Sequence, residues 1–206
     1  MMKRKLVCVL AISLLLGGCG PVFSLFPLYN KKDIVAQDQI LGRWMGSDIP
    51  KKKDNTDSWT TPSYWEFKKA EDGAYHLSVS DVKTGKMQML SDIHFLRLGG
   101  NLFLDVEAQE HDADSQSLDF FPAVKAHFFG RVFFEDDRVR IELLDADWCQ
   151  AAILQKGIHL DFGYPESVLV LTANTDDLQK FAIEYGNDTD AFSHGYIPEH
   201  PKSPAK

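Results

Sequence analysis

Between residues 40 and 192 the chain alternates apolar and polar positions with a period of two, in short segments separated by polar turns. That is the signature of an antiparallel sheet. The segments run over 40–46, 64–68, 74–82, 86–98, 101–107, 125–135 and 138–144, with a further run at 168–172, so eight strands are predicted. Turn chemistry agrees: Glu71-Asp72-Gly73, Lys83-Thr84-Gly85, Gly99-Gly100 and Glu135-Asp136-Asp137 stand where tight hairpins need residues that bend easily or adopt positive φ. In the sixth segment Ala126, Phe128, Gly130, Val132 and Phe134 share one face. In the seventh, Val139, Ile141 and Leu143 face away from Arg138, Arg140 and Glu142. These faces are expected to point at a core.

Two segments switch to helical spacing. Residues 147–155 form a short amphipathic stretch with Trp148, Ala151 and Ala152 apolar. A second helix begins at Asn174 or Thr175, carries Asp176 and Asp177 in its first turn where they complement the dipole, and stops at Gly186. Leu178, Phe181, Ala182 and Tyr185 form one stripe, which needs a surface to lie on. The outward face of the sixth strand offers Phe129 and Phe133 beside His127 and Arg131.

The first 18 residues break the pattern. A basic Lys3-Arg4-Lys5 precedes an apolar run over 6–16 and then Leu16-Gly17-Gly18-Cys19, the layout of an export signal. Eleven apolar residues cover about 16 Å of a hydrocarbon core near 30 Å, too little to span it. The four residues ending at Cys19 resemble the lipobox of bacterial lipoproteins, whose cysteine thiol takes a diacylglycerol. The resemblance implies lipidation at Cys19, a palmitate-type anchor in a membrane and, because Gly20 is not Asp, the outer membrane facing the periplasm. Residues 19–39 read as a lipidated tether, 40–192 as the domain and 193–206, with three prolines, as a flexible tail.

Composition narrows the partners. Of 206 residues 44% are hydrophobic and 25% charged, an ordinary globular profile, and the net charge is −8. Removing residues 1–18 takes three of the 22 basic groups and no acids, which leaves 19 against 30 and a net charge of −11. Such a balance argues against nucleic acid, whose binding depends on clustered Lys and Arg. With Cys8 removed and Cys19 alkylated, Cys149 is a single thiol that reads as a small buried hydrophobe.

Gly42-Arg43-Trp44, opening the first strand, resembles the G-x-W of lipocalins, and the polar loop 47–62 that follows lies where lipocalins carry a loop over the barrel mouth. The runs 94–105, 126–132, 143–148 and 171–181 are similar to a group of uncharacterised bacterial lipocalin-like proteins. This resemblance covers residues 40–192 and implies an all-β, mainly antiparallel fold. It takes the form of a closed eight-stranded lipocalin-like barrel with one short inserted helix and one C-terminal helix on its exterior. The inserted helix is a departure from true lipocalins and puts the usual interior cavity in doubt.

An eight-stranded barrel is just wide enough to fill with side chains or to hold one small ligand. Trp44, Trp65, Phe67, Tyr75, Phe128 and Phe134 are the candidate ligand-binding residues, joined inside by Leu77, Val79, Val132 and Ile141. They fit a greasy pocket and a solid core alike. His94, Asp105 and His127 come from neighbouring segments, but no paired spacing demands a metal, so no metal or cofactor is assigned. An ion pair of Asp105 with Arg97 or Arg131 is the expected alternative. The acidic stretch around His111-Asp112-Ala113-Asp114 lacks the glycine and terminal glutamate of an EF-hand loop. No G-x-S-x-G, P-loop, G-x-G-x-x-G or H-E-x-x-H motif occurs, so no catalytic residue is named and an enzyme is not expected. Lys51-Lys52-Lys53, the one run of three basic residues beyond residue 18, reads as a solvated loop tip. The expectation is a lipid-anchored envelope protein that binds a small hydrophobic ligand. The alternative is an envelope protein-protein interaction, assembly or inhibitor module with a solid barrel.

Overall fold

The computed structural model describes residues 22–46, 63–108, 125–155, 157–164, 168–196 and 198–199. The signal and lipobox readings at 1–19, the loop carrying Lys51-Lys52-Lys53, the His111-Asp112-Ala113-Asp114 stretch and the last residues of the tail lie outside these. Among the described residues no helix is long and apolar enough to cross a membrane.

The fold is mainly antiparallel β-sheet with two helices, as the alternation predicted. In chain order the elements are β1 (Phe23–Ser24), β2 (Gly42–Gly46), β3 (Ser63–Lys69), β4 (Tyr75–Asp81), β5 (Met87–Leu98), β6 (Asn101–Ala108), β7 (His127–Phe134), β8 (Val139–Leu144), α1 (Ala146–Gln155), β9 (Phe162–Gly163), β10 (Val170–Leu171), α2 (Thr175–Tyr185) and β11 (Phe192–Tyr196). β2 to β8 form an unbroken antiparallel meander in sequence order. The β3–β4, β4–β5 and β5–β6 hairpins turn locally, and Gly73, Gly85, Gly99 and Gly100 all sit at positive φ in them.

Three expectations are corrected. First, β11 supplies the eighth strand of the meander, pairing with β8 from Phe192↔Leu144 to Tyr196↔Ile141. The segment read as the start of a loose tail is therefore a strand, because its backbone takes the free edge of β8 and Phe192 is buried. Second, the 168–172 run has no place in the meander: Val170 and Leu171 pair in parallel with Phe23 and Ser24, on a branch that leaves β7 through β1. Third, the ladders do not close. The meander ends at β2 on one side and β11 on the other, and among the described residues these margins meet only at isolated bridges, where Glu199 faces both Met45 and Arg138. Met45 and Glu199 exchange two backbone hydrogen bonds, of 2.7 and 2.9 Å.

Two apolar clusters lie on opposite faces of this curved sheet. The inner one joins Ile40, Trp44, Trp65, Phe67, Tyr75, Leu77, Val79, Ile93, Phe95, Leu104, Val106, Val132, Val139 and Ile141. The outer one joins Leu96, Leu98, Phe103 and Phe129 of the wall to Leu178, Phe181 and Ala182 of α2, Cys149 of α1 and Phe192. The stripe on α2 thus finds the outward Phe129, as its spacing required. Asn174 caps the helix, its side-chain oxygen accepting from the Asp177 amide at 3.1 Å. Phe133 instead lies under the Arg140 guanidinium, 4.0 Å from the ring centre.

The segment read as a tether is, from Val22 onward, a strap. β1 bridges the start of β7 at Ser24↔His127, and Leu28 is wholly buried. Ile34 bridges Leu96 on the edge of β5 that β4 leaves free. Ile40 then enters the inner cluster before β2 begins. Pattern reading missed this because a strap that changes partner every few residues has no period.

Candidate functional site

All six candidate ligand-binding residues belong to the inner cluster, Phe128 and Phe134 as half-buried members. Strand directions divide them between two ends. Trp44, Trp65 and Phe128 stand within two residues of the end from which the segments 47–62 and 109–124 depart, here called the mouth. Tyr75 and Phe134 stand at the opposite end, the floor, with Phe67 between.

The floor is filled. Tyr75 meets Phe95 edge-on at 5.4 Å, and Phe95 meets Phe134 at 6.4 Å. The strap closes it from below: the Tyr75 hydroxyl accepts from the Gln37 amide at 2.7 Å and donates to Asp38 Oδ1 at 2.9 Å, while Trp44 Nε1 donates to the Ile40 carbonyl at 2.7 Å. Burial pushes the Tyr75 hydroxyl up and keeps it neutral. The mouth is lined by apolar side chains. Its inward ring comprises Trp44, Trp65, Val79, Met89, Val106, Phe128 and Leu143, of which Met89, Phe128 and Leu143 are only half-buried. Trp65 Nε1 donates to Ser63 Oγ at 2.9 Å. Gly46 is required beside it, since a Cβ there would fall 2.1 Å from Trp65 Nε1.

On the outer face of the wall the structure brings His94, Asp105 and His127 together. His94 and Asp105 are cross-strand partners. Asp105 is fully buried; its Oδ1 lies 2.8 Å from His127 Nδ1 and its Oδ2 accepts from the Leu28 amide at 2.7 Å. Tyr29 stacks on His94 with ring centres 4.0 Å apart. Among the described residues no group of three or more such side chains is arranged to hold a metal ion. The expected Asp105–arginine pair does not form: Arg131 reaches Glu142 at 2.5 Å and caps α2 through the Gly186 carbonyl at 2.8 Å, while Arg97 contacts the Gly100 carbonyl. Register explains this, since Arg131 stands opposite Phe103 and Glu142, one step along from Asp105. Burial lowers the His94 pKa, against the opposing pull of Asp105, Asp92 and Glu107. Burial also raises Tyr29. The cluster therefore ties Leu28 and Tyr29 of the strap to β5, β6 and β7.

Cys149 is wholly buried and its thiol is pushed up to about 12, first by burial and then by Asp145. At neutral pH it is a packing group rather than a nucleophile. A hollow of about 580 Å³ at the β3–β4 hairpin is lined by Lys69, Ala70, Glu71, Ala74, His76 and Asp92. Its lining mixes polar and apolar groups evenly, and none of the six candidates borders it. Sequence reasoning also missed Tyr29, Leu28 and Glu199 as partners; their positions in proline-containing segments carried no periodic signal. Compared with known proteins, the chain matches no protein-family model, no curated protein and no solved structure.

Proposed function

We propose that this chain is a bacterial lipoprotein, anchored through Cys19 in the outer membrane and facing the periplasm, whose lipocalin-like domain works as an eight-stranded barrel with its margins bridged at Glu199 and holds a small apolar ligand at its mouth. It acts as a binder and not as an enzyme. The observation that carries the reading is the inward ring at the mouth: seven apolar side chains, three of them half-buried, at the end opposite a floor already packed with aromatic rings. Ligand pockets are mostly apolar and need such uncovered interior surface. A mouth site also accommodates the filled floor, which a deep lipocalin-type cavity would not. The packed floor supports a second reading as well, a solid module that presents its rim to an envelope protein.

The test is native mass spectrometry of the domain from residue 20 onward, purified gently without the lipid, together with titration of Nile red, an uncharged apolar probe. A retained small molecule, or saturable probe binding with energy transfer from Trp44 and Trp65, is the expected result. A clean apo mass with no probe binding would transfer the case to the protein-partner reading.

A further inference from the structure

Inside the barrel wall, one polar atom has nothing to bond. Ser91 lies on β5 directly opposite Leu77 of β4, so it shares the inward face with Leu77 and with Tyr75↔Ile93 on the next inward row. It is fully buried, and its Oγ has no hydrogen-bond partner. Buried hydroxyls in folded proteins are nearly always paired. The other polar atoms on inward aromatic side chains are engaged: Trp44 Nε1 with Ile40, Trp65 Nε1 with Ser63, and the Tyr75 hydroxyl with Gln37 and Asp38. Among the described residues Ser91 therefore stands alone on the inward face as an open donor and acceptor in an apolar interior, two residues or about 7 Å below Met89 of the mouth ring.

The surroundings define what it can bind. The charged groups on these strands, Asp92, His94, Asp105, Glu107 and Arg131, alternate with the inward positions and face outward. A carboxylate carried down to Ser91 would lose its water and meet no counter-charge, which a single hydroxyl cannot offset. An uncharged head meets no such obstacle, because one hydroxyl or one ester carbonyl is matched by one serine Oγ. Met89, flexible and half-buried directly above, is the side chain best able to move aside for the attached chain.

Resting on the binding function proposed above, we propose that Ser91 Oγ is the buried polar anchor for an uncharged amphiphile, an aliphatic alcohol or ester, held polar end first with its hydrocarbon chain leading back to the mouth.

The experiment is displacement of Nile red at pH 8 by 1-decanol, methyl decanoate and decanoate, with the wild-type domain, Ser91→Ala and the size-conserving Ser91→Cys. The alcohol and the ester should displace the probe at concentrations at least tenfold below decanoate from the wild type. Ser91→Ala should weaken the alcohol about tenfold, the worth of one hydrogen bond, once each variant's own Nile red affinity is measured and used to convert displacement into affinity. The Ser91→Ala melting midpoint should equal or exceed that of the wild type, since an unpaired hydroxyl is removed. Probe binding with no preference for the neutral heads, or equal alcohol affinity in Ser91→Ala, overturns the anchor and leaves the binding function standing. A lowered midpoint in both variants would show that the protein itself satisfies Ser91, and also overturns it. Absence of probe binding to the wild type removes the binding function, and the anchor with it.

Discussion

Asp105 and Leu28, 77 positions apart in sequence, are joined by a buried hydrogen bond of 2.7 Å from the Leu28 amide to the carboxylate, whose second oxygen faces His127. One side chain thereby fixes the end of the strap to two strands of the wall. The strap is held to the wall also by the Ser24 and Ile34 bridges and the Tyr29–His94 stack, and to α2 by Gln179 Nε2 donating to the Leu28 carbonyl at 2.9 Å and Thr175 Oγ1 donating to the Pro27 carbonyl at 2.8 Å.

Replacing Asp105 by Ala is expected to destabilise the domain by about 3–5 kcal/mol, because it strands both the Leu28 amide and His127 without a partner in a buried place. Asp105→Asn keeps an acceptor for one of them and should cost less. Denaturant unfolding gives the magnitude. Amide exchange at Leu28 locates the effect, which should exceed that at core amides of β4.

Stability should fall on acidification in a range set by His94. Its folded pKa is depressed by burial, so the unfolded chain takes up a proton first as pH drops below about 6.5. Stability attributable to this residue is complete above that value and is lost progressively down to the folded pKa, where both states are protonated. His94→Phe, which keeps a flat ring under Tyr29, should flatten this part of the pH profile of the unfolding free energy. An unchanged profile would show that His94 is not its source.

The margin at β11 is the least tolerant place for added atoms. A Cβ at Gly195 would stand 1.7 Å from the Ile141 carbonyl oxygen, so Gly195→Ala must push β11 off β8. The expected cost is above about 3 kcal/mol, in the range of severe backbone clashes. The bridge at Glu199 should open with it, read as new proteolytic cleavage in the segment after Phe192. Were residues 193–199 a free tail, the substitution would be silent.

Cys149 should resist thiol reagents. With the thiol wholly buried and pushed up to about 12, 5,5′-dithiobis(2-nitrobenzoate) at pH 8 should react only at the rate of unfolding, and fully within seconds in concentrated guanidinium. Rapid reaction of the native domain would place the thiol at the surface.

Local chemistry fixed much of this. Period-two alternation determined β2 to β8, because each strand has one wet and one dry face whatever it pairs with. Asn174, Leu178, Phe181 and Ala182 determined α2 by capping and by helical spacing. The inward assignment of Trp44, Trp65, Phe67, Tyr75, Phe128 and Phe134 followed from the same alternation. Partner choice did not. That Phe192–Tyr196 and not Val170–Leu171 takes the open edge of β8, that Asp105 bonds His127 and Leu28 rather than an arginine, and that Ser91 is left alone all depend on register and on chain segments far apart in sequence. A hydrogen bond between distant residues is decided by which backbones the packed clusters bring within 3 Å, and only the folded chain holds that information.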